Sequence, residues 1–133
     1  MIGFNKFINI NTNILRNVIT RDRQFLGNID IAIQKGDPII TEMFIEKEYR
    51  KKGYGTKLLN NTEEELFKLG ATYIHLNLWS LDRCYFNFYD FYHKRGYSTM
   101  LNDNEYNVMD NGENLYYNLN LTKNLLNTQY PKI

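Results

Sequence analysis

Apolar and polar residues alternate along the first third of the chain. Phe7 to Ile10 and Ile14 to Thr20 are short apolar stretches that read as strands, although the second also fits a turn of helix. Ile29 to Ile33 alternates residue by residue and runs into Lys35-Gly36-Asp37-Pro38, a strong turn signal. Ile39 to Ile45 follows as another strand, so these two are expected to form a hairpin. The period then changes. After Gly55, the residues Leu58, Leu59, Thr62, Leu66 and Leu69 recur at helical spacing, with Glu63, Glu64, Glu65 and Lys68 assigned to the wet face. Gly70 stands where a helix end takes a left-handed residue. Tyr73 to Trp79 alternates again, with Ile74, Leu76 and Leu78 on one face. A second helix is predicted from about Asp82 to Lys94, with Leu81, Tyr85, Phe88 and Tyr92 as its apolar stripe and Gly96 closing it. Tyr97 to Leu101 and Leu115 to Leu121 read as the last strands, separated by the polar stretch Asn102 to Asn114. The order β-β-β-β-α-β-α-β-β predicts an α/β fold built on a mixed sheet.

Composition narrows this without changing it. At 133 residues and 43% hydrophobic, the chain suffices for one core and not for two, so residues 1–133 are expected to form a single domain. A net charge of +1 argues against a nucleic-acid partner, which would require a clear excess of Lys and Arg. The eleven tyrosines fall mostly on strands and helix stripes, where they serve the core. One cysteine, Cys84, allows no intrachain disulfide and fits a reducing compartment. The N-terminal stretch does not read as a signal peptide, and no apolar run reaches the roughly 18 residues of a membrane span. The expectation is a cytoplasmic protein with no membrane partner.

The chemistry gathers at one junction. The strand Ile39 to Ile45 leads through Glu46 to Tyr49 into Arg50-Lys51-Lys52-Gly53-Tyr54-Gly55-Thr56, and a helix starts at once. Two glycines there let the backbone turn so that successive N–H groups share one concavity. The helix N-terminus adds unpaired N–H groups and a positive dipole end, and the three basic residues add charge. This describes a pyrophosphate cradle. An ordinary tight turn with a solvated basic face has the same glycines. No Lys-Ser/Thr pair follows the second glycine, and Leu58 replaces the third glycine of a dinucleotide fingerprint.

Arg-x-x-Gly-x-Gly after a strand and opening a helix resembles the acetyl-CoA pyrophosphate motif of GNAT-superfamily N-acetyltransferases. Phe91-Tyr92-His93-Lys94-Arg95-Gly96-Tyr97 resembles that family's Phe-Tyr-x-x-x-Gly-Phe segment. The resemblance is good from about Ile29 to Tyr97. It implies a splayed, mostly antiparallel sheet with helices on both faces, and acetyl-CoA as co-substrate without a metal. Met43, Phe44 and Ile45 would offer backbone groups to the pantetheine arm. Arg50 and the loop Lys51, Lys52, Gly53, Tyr54, Gly55 and Thr56 would hold the pyrophosphate. Tyr92 matches the tyrosine that protonates the departing thiolate. Two features depart from the family pattern. No amphipathic helix precedes Ile39, so the N-terminal helices that cover the acceptor are expected to be reduced or absent, leaving a face that a second copy could cover as a dimer. Tyr85 stands where the family usually has an asparagine, and Asn87, which is displaced, is not assigned its role.

Acetyl transfer to an amine needs a proton acceptor, because a primary alkyl amine is charged at neutral pH. Glu42, on the fourth strand, is the candidate base or water-relaying carboxylate; a surface glutamate is the other reading. Tyr92 lies on an apolar stripe, so a core tyrosine is the alternative to a general acid. His75 projects to the other face of its strand and reads as a satisfied structural histidine. His93, in the last turn of its helix, reads as a favourable C-terminal charge. Cys84 has no His or Asp paired with it in sequence, and the histidines and cysteine show no metal-ligand spacing. The functional expectation is an N-acetyltransferase acting on a small-molecule or peptide amine. The alternative is a CoA-binding sensor or assembly module without catalysis. Polyamine, aminoglycoside, amino acid, protein N-terminus and lysine side chain all remain open as acceptors.

Overall fold

The computed structural model describes residues 1–33, 35–98, 108–110 and 115–127. Strands β1 (Ile2–Asn9), β2 (Ile14–Arg21), β3 (Gln24–Ala32) and β4 (Ile39–Ile45) lead to helix α1 (Tyr54–Lys68). Strand β5 (Tyr73–Leu81), helix α2 (Asp82–His93), and strands β6 (Val108–Asp110) and β7 (Leu115–Asn124) follow. One sheet holds the seven described strands in the order β1-β2-β3-β4-β5-β7-β6. Every neighbouring pair is antiparallel except β4 and β5. This is the mixed α/β architecture expected from the sequence.

The parallel pair is short. β4 meets β5 only at Ile39↔His75 and Ile40↔Leu76, although both strands run on well past that point. The cause lies on the other edge of β4. Ile31 pairs with Ile40 but Asp30 pairs with Glu42, so Thr41 is an extra residue and forms a bulge. A bulge bends its strand and increases its twist. From Thr41 onward β4 stays with β3 and leaves β5, so the sheet opens there as a V.

The registers assign the side chains to two faces. Leu15, Ile19, Ile29, Ile31, Ile40, Ile74, Leu76 and Leu121 share one face and form the core with Leu58, Leu59 and Leu66 of α1. The last turn of α2 packs on that same face, where Tyr92 and Tyr97 are fully buried. Both helices therefore lie on one side, in place of the expected helix on each. A four-residue turn joins β1 directly to β2, so no helix between them covers the opposite face. That face carries Arg16, Asn28, Asp30, Glu42, His75 and Asn77. Among the described residues, no helix is long and apolar enough to cross a membrane.

Several boundaries differ from the sequence reading. β1 begins at Ile2, not Phe7, because an edge strand exposed over much of its length shows little hydrophobic alternation. Ile14 to Thr20 is strand, not helical turn. β6 lies inside the stretch expected to be a connection. Of the strand expected over Tyr97 to Leu101, Ser98 bridges Thr122, and 99–101 lie outside the described residues. Phe88 and Leu69, assigned to apolar stripes, are exposed.

Glu63 departs furthest. Assigned to the wet face of α1, it is 1% exposed and forms a salt bridge of 2.7 Å with Lys123 of β7. Its other oxygen accepts a 2.8 Å hydrogen bond from the Tyr97 hydroxyl. Helical spacing places Glu63 beside Leu59 and Leu66, and the late-strand lysine together with the Tyr97 hydroxyl makes that position tolerable. Removing one partner of a buried pair leaves the other charge without compensation. Lys123→Met is thus expected to lower stability by about 3 kcal/mol, read as a shifted denaturant midpoint at unchanged slope.

Candidate functional site

The V between β4 and β5 opens toward the N-terminus of α1. Lys51 has φ +61° and Gly53 φ +86°, so the chain turns twice through the left-handed region before the helix starts. Gly53 is the N-cap, and no side chain caps the helix. The first intrahelical bond runs from the Lys57 N–H to the Gly53 carbonyl, 3.1 Å. The N–H groups of Tyr54, Gly55 and Thr56 thus have no acceptor within the helix. A Cβ built on Gly53 would meet nothing within 4 Å, so the space outside the loop is open to an anion. These are the donors that a pyrophosphate requires, and the loop fits that group.

The candidate loop side chains have different surroundings. Lys51 and Lys52 are exposed. Arg50 folds back, donating from Nε to the Ile45 carbonyl at 2.7 Å, with its guanidinium 5.8 Å from the Phe44 ring centre. It closes the loop in place of pointing into it. The Tyr54 hydroxyl accepts from Arg21 Nη1 at 2.9 Å, which leaves the Tyr54 main chain for any ligand. Thr56 Oγ1 accepts from Nε and Nη2 of Arg95. Arg95 also donates to the Phe91 carbonyl and stacks 3.8 Å from the centre of the Phe91 ring. Its guanidinium is therefore held at the mouth of α1. Nothing in the sequence pattern assigns Arg95 a role; its one signal is a cation in an unassigned position of the Phe91–Tyr97 motif, just before Gly96.

On the helix-covered face, Tyr92 donates a hydrogen bond to the thioether of Met43 at 3.2 Å. Phe91 and Tyr97 hold its ring edge-on, with centres 5.0 and 5.6 Å away. Burial pushes the Tyr92 phenol well above its ordinary value, against a smaller opposing effect of Arg95. The phenol stays protonated and is a donor at any ordinary pH. Met43 also approaches α1: a Cβ at Gly55 would lie 3.3 Å from the Met43 methyl and 3.5 Å from Phe91. A side chain at Gly55 would require the Met43 methyl to give by a few tenths of an ångström, so α1 starts close against the splayed strand.

On the opposite face, a row of side chains crosses the strands. Phe7 pairs with Arg16, Arg16 with Asp30, and Asp30 with Glu42. Arg16 donates to Asp30 through Nε at 2.8 Å and Nη2 at 2.9 Å, and Asn28 adds a bond of 3.1 Å. Glu42 is half exposed, with Arg16 Nη2 at 3.9 Å. A hollow of about 630 Å³ lies over the Phe7–Arg16–Asp30 part of the row and away from the pyrophosphate loop. Glu42 and Met43, consecutive on β4, thus address opposite faces at the V, Met43 meeting Tyr92 and Glu42 facing the open side.

The remaining candidates are accounted for locally. His75 lies on the open face, with Nδ1 2.8 Å from Thr122 Oγ1 and Nε2 2.9 Å from Asp37 Oδ2. It is a tied structural histidine. His93 ends α2 and stacks on Tyr89. The side chains of Cys84, Tyr85 and Asn87 lie outside the described residues. Among the described residues, no three His, Cys, Asp or Glu side chains gather as a metal site.

Known proteins resemble the chain in sequence family and in fold. Residues 14–99, well over half of the chain, match the family described as "Acetyltransferase (GNAT) domain". No curated protein sequence matches the chain. Among solved structures, the IAA acetyltransferase of Bacillus cereus superposes with a TM-score of 0.71 at 12% identity, covering 93% of this chain and 99% of that one. An aminoglycoside 6'-N-acetyltransferase complexed with coenzyme A gives 0.65 at 20% identity, covering 92% and 78%. A GNAT family acetyltransferase from Elizabethkingia anophelis with acetyl-CoA bound gives 0.66 at 14% identity, covering 86% and 78%. At these identities the likeness is one of fold.

Proposed function

The chain belongs to the GNAT acetyltransferase family, and from that premise we propose that it moves an acetyl group from acetyl-CoA to a primary amine by direct attack in a ternary complex. The observation that carries this reading is the arrangement about β4. Tyr92 reaches the strand from the helix-covered face at Met43, while Glu42, one residue earlier, faces the open side. Donor and acceptor then approach the V from opposite faces of the sheet.

The chain's own groups divide the work. The N–H groups at the start of α1, with Lys51, Lys52 and Arg95 beside them, hold the pyrophosphate. Acetyl-CoA, when bound, supplies the thioester carbonyl. Glu42 takes the proton that the amine must lose as its nitrogen bonds to the carbonyl carbon. Tyr92 donates a hydrogen bond to the sulfur as the C–S bond breaks, exchanging the Met43 thioether for the thiolate. No covalent enzyme intermediate is required, because holding amine and thioester together supplies much of the acceleration.

A second reading, a CoA-binding sensor without catalysis, is favoured by one observation: the Tyr92 hydroxyl is already satisfied by Met43 inside the core. Measuring free CoA released from acetyl-CoA across a panel of polyamines, aminoglycosides, amino acids and peptides separates the two. The enzyme releases CoA only when its amine is added. Tight CoA binding with no amine-dependent release across the panel would put the sensor in front.

A further inference from the structure

Asp30 and Glu42 are register partners on neighbouring strands, which sets their Cβ atoms roughly 5 Å apart. Their surroundings are unequal. Asp30 is 7% exposed, and its two oxygens accept three N–H bonds, two from Arg16 and one from Asn28. Glu42 has a side chain 52% exposed, and its nearest cation, Arg16, stands at 3.9 Å, too far for a hydrogen bond. Two carboxylates this close interact unfavourably when both are charged, so the pair divides into one that keeps its charge and one that takes a proton.

We propose that Asp30 is a positioning residue acting through Glu42: clamped as a carboxylate by Arg16 and Asn28, it makes Glu42 the member of the pair that accepts the amine's proton. The proposal rests on the reading of Glu42 as the base. The directions of titration agree with the geometry. Burial alone would raise the Asp30 carboxyl, but the bonds and the charge of Arg16, then the neighbouring Glu42 and the bond from Asn28, hold it below its ordinary value. Glu42 is held above its ordinary value, first by burial and then by Asp30, against a smaller pull downward from Arg16.

The other charged groups near Glu42 are engaged elsewhere. On β5 the same face carries His75, tied to Asp37 and Thr122. Arg50 lies over Phe44, two residues along β4, and donates to Ile45. The helices pack on the opposite face. Asp30 is thus the fixed negative charge that faces Glu42 across the ladder, with Arg16 on its far side.

The sign of the consequence follows. A base must be ionised, so turnover rises with pH as Glu42 loses its proton. Removing the Asp30 charge makes Glu42 ionise at lower pH and moves the acidic limb of the kcat profile down. Asp30→Asn tests this, with Glu42→Gln as reference and carbon-13 titration of the glutamate carboxyls as a readout independent of turnover. At a pH where the parent keeps a tenth of its plateau, Asp30→Asn is expected to keep about threefold more of its own. The Glu42 carboxyl resonance should titrate at lower pH in the same variant. Should the single variant fold poorly with Arg16 left unpaired, Arg16→Gln/Asp30→Asn removes both charges. The limb still moves down there, because Asp30 outweighs Arg16 at Glu42. If Glu42→Gln retains the parent's acidic limb, the base reading itself is wrong. If Glu42→Gln loses the limb while the Asp30 variants leave limb and resonance in place, the base stands and the role given to Asp30 is overturned.

Discussion

Tyr92→Phe is expected to lower kcat by about 10² to 10³-fold, the loss of one hydrogen-bond donor at a developing negative charge, while leaving the Kd for acetyl-CoA close to that of the parent. The substitution keeps the ring, so the edge-on contacts with Phe91 and Tyr97 survive. What is lost is one O–H, which in this structure donates to the Met43 thioether. If that bond were its whole purpose, removing it would cost on the order of 1 kcal/mol of stability and turnover would barely change. If the phenol stabilises the departing thiolate, the loss appears in kcat and hardly in the melting temperature. Because burial raises its ionisation far above the neutral range, Tyr92 should add no alkaline limb to the kcat profile near neutral pH. Measuring kcat, CoA affinity and Tm on this one variant decides the matter. A lower Tm with unchanged kcat would return Tyr92 to the core.

The second large effect belongs to Gly53. Gly53→Val places a branched side chain at φ +86°, a region that only glycine enters without strain. It also fills the open space beside the unpaired N–H groups of α1, since nothing within 4 Å now occupies the Cβ position. Losing two charge-assisted hydrogen bonds would weaken CoA binding by about 10²-fold or more. Strain and obstruction are separable with Gly53→Asn, because asparagine tolerates the left-handed region yet still brings a side chain. Isothermal titration is expected to rank affinity as parent, then Asn, then Val. Equal affinity for Gly53→Val and the parent would remove the loop from the binding site.

The legible parts of this fold were those governed by local period and local turns. Ile39 to Ile45 and the start of α2 at Asp82 match their expected positions, because alternation and the Lys35–Pro38 turn act over a few residues. The glycines at the α1 junction were legible for the same reason. Sequence order could not reveal partnerships across the sheet. Glu63 reads as a solvated glutamate until Lys123 is known to lie beside it. Asp30 reads as the polar half of an alternating strand until register places it between Arg16 and Glu42. The shared face of the two helices was hidden too, since the resemblance supplied an expectation that residue pattern could not test. Arg95 was missed because its task at Thr56 arises only when the end of α2 meets the start of α1.

The Glu63–Lys123 pair also bears on the order in which this chain acquires its shape. The two residues are 60 positions apart, with the carboxylate synthesised first. At about 5–20 residues per second, a ribosome leaves α1 without its counter-charge for several seconds. During that interval the first four strands can pair among themselves, since their contacts are near in sequence. Seating α1 upon them would bury a lone carboxylate, which is far costlier than leaving the helix in water. On this ground α1 is expected to seat on its sheet only after β7 is made, unless Glu63 takes a proton first. Pulse-labelled amide exchange on a chain truncated before β7 is expected to find α1 unprotected. β7, the last of the described strands, would then act as the latch that closes α1 onto the sheet.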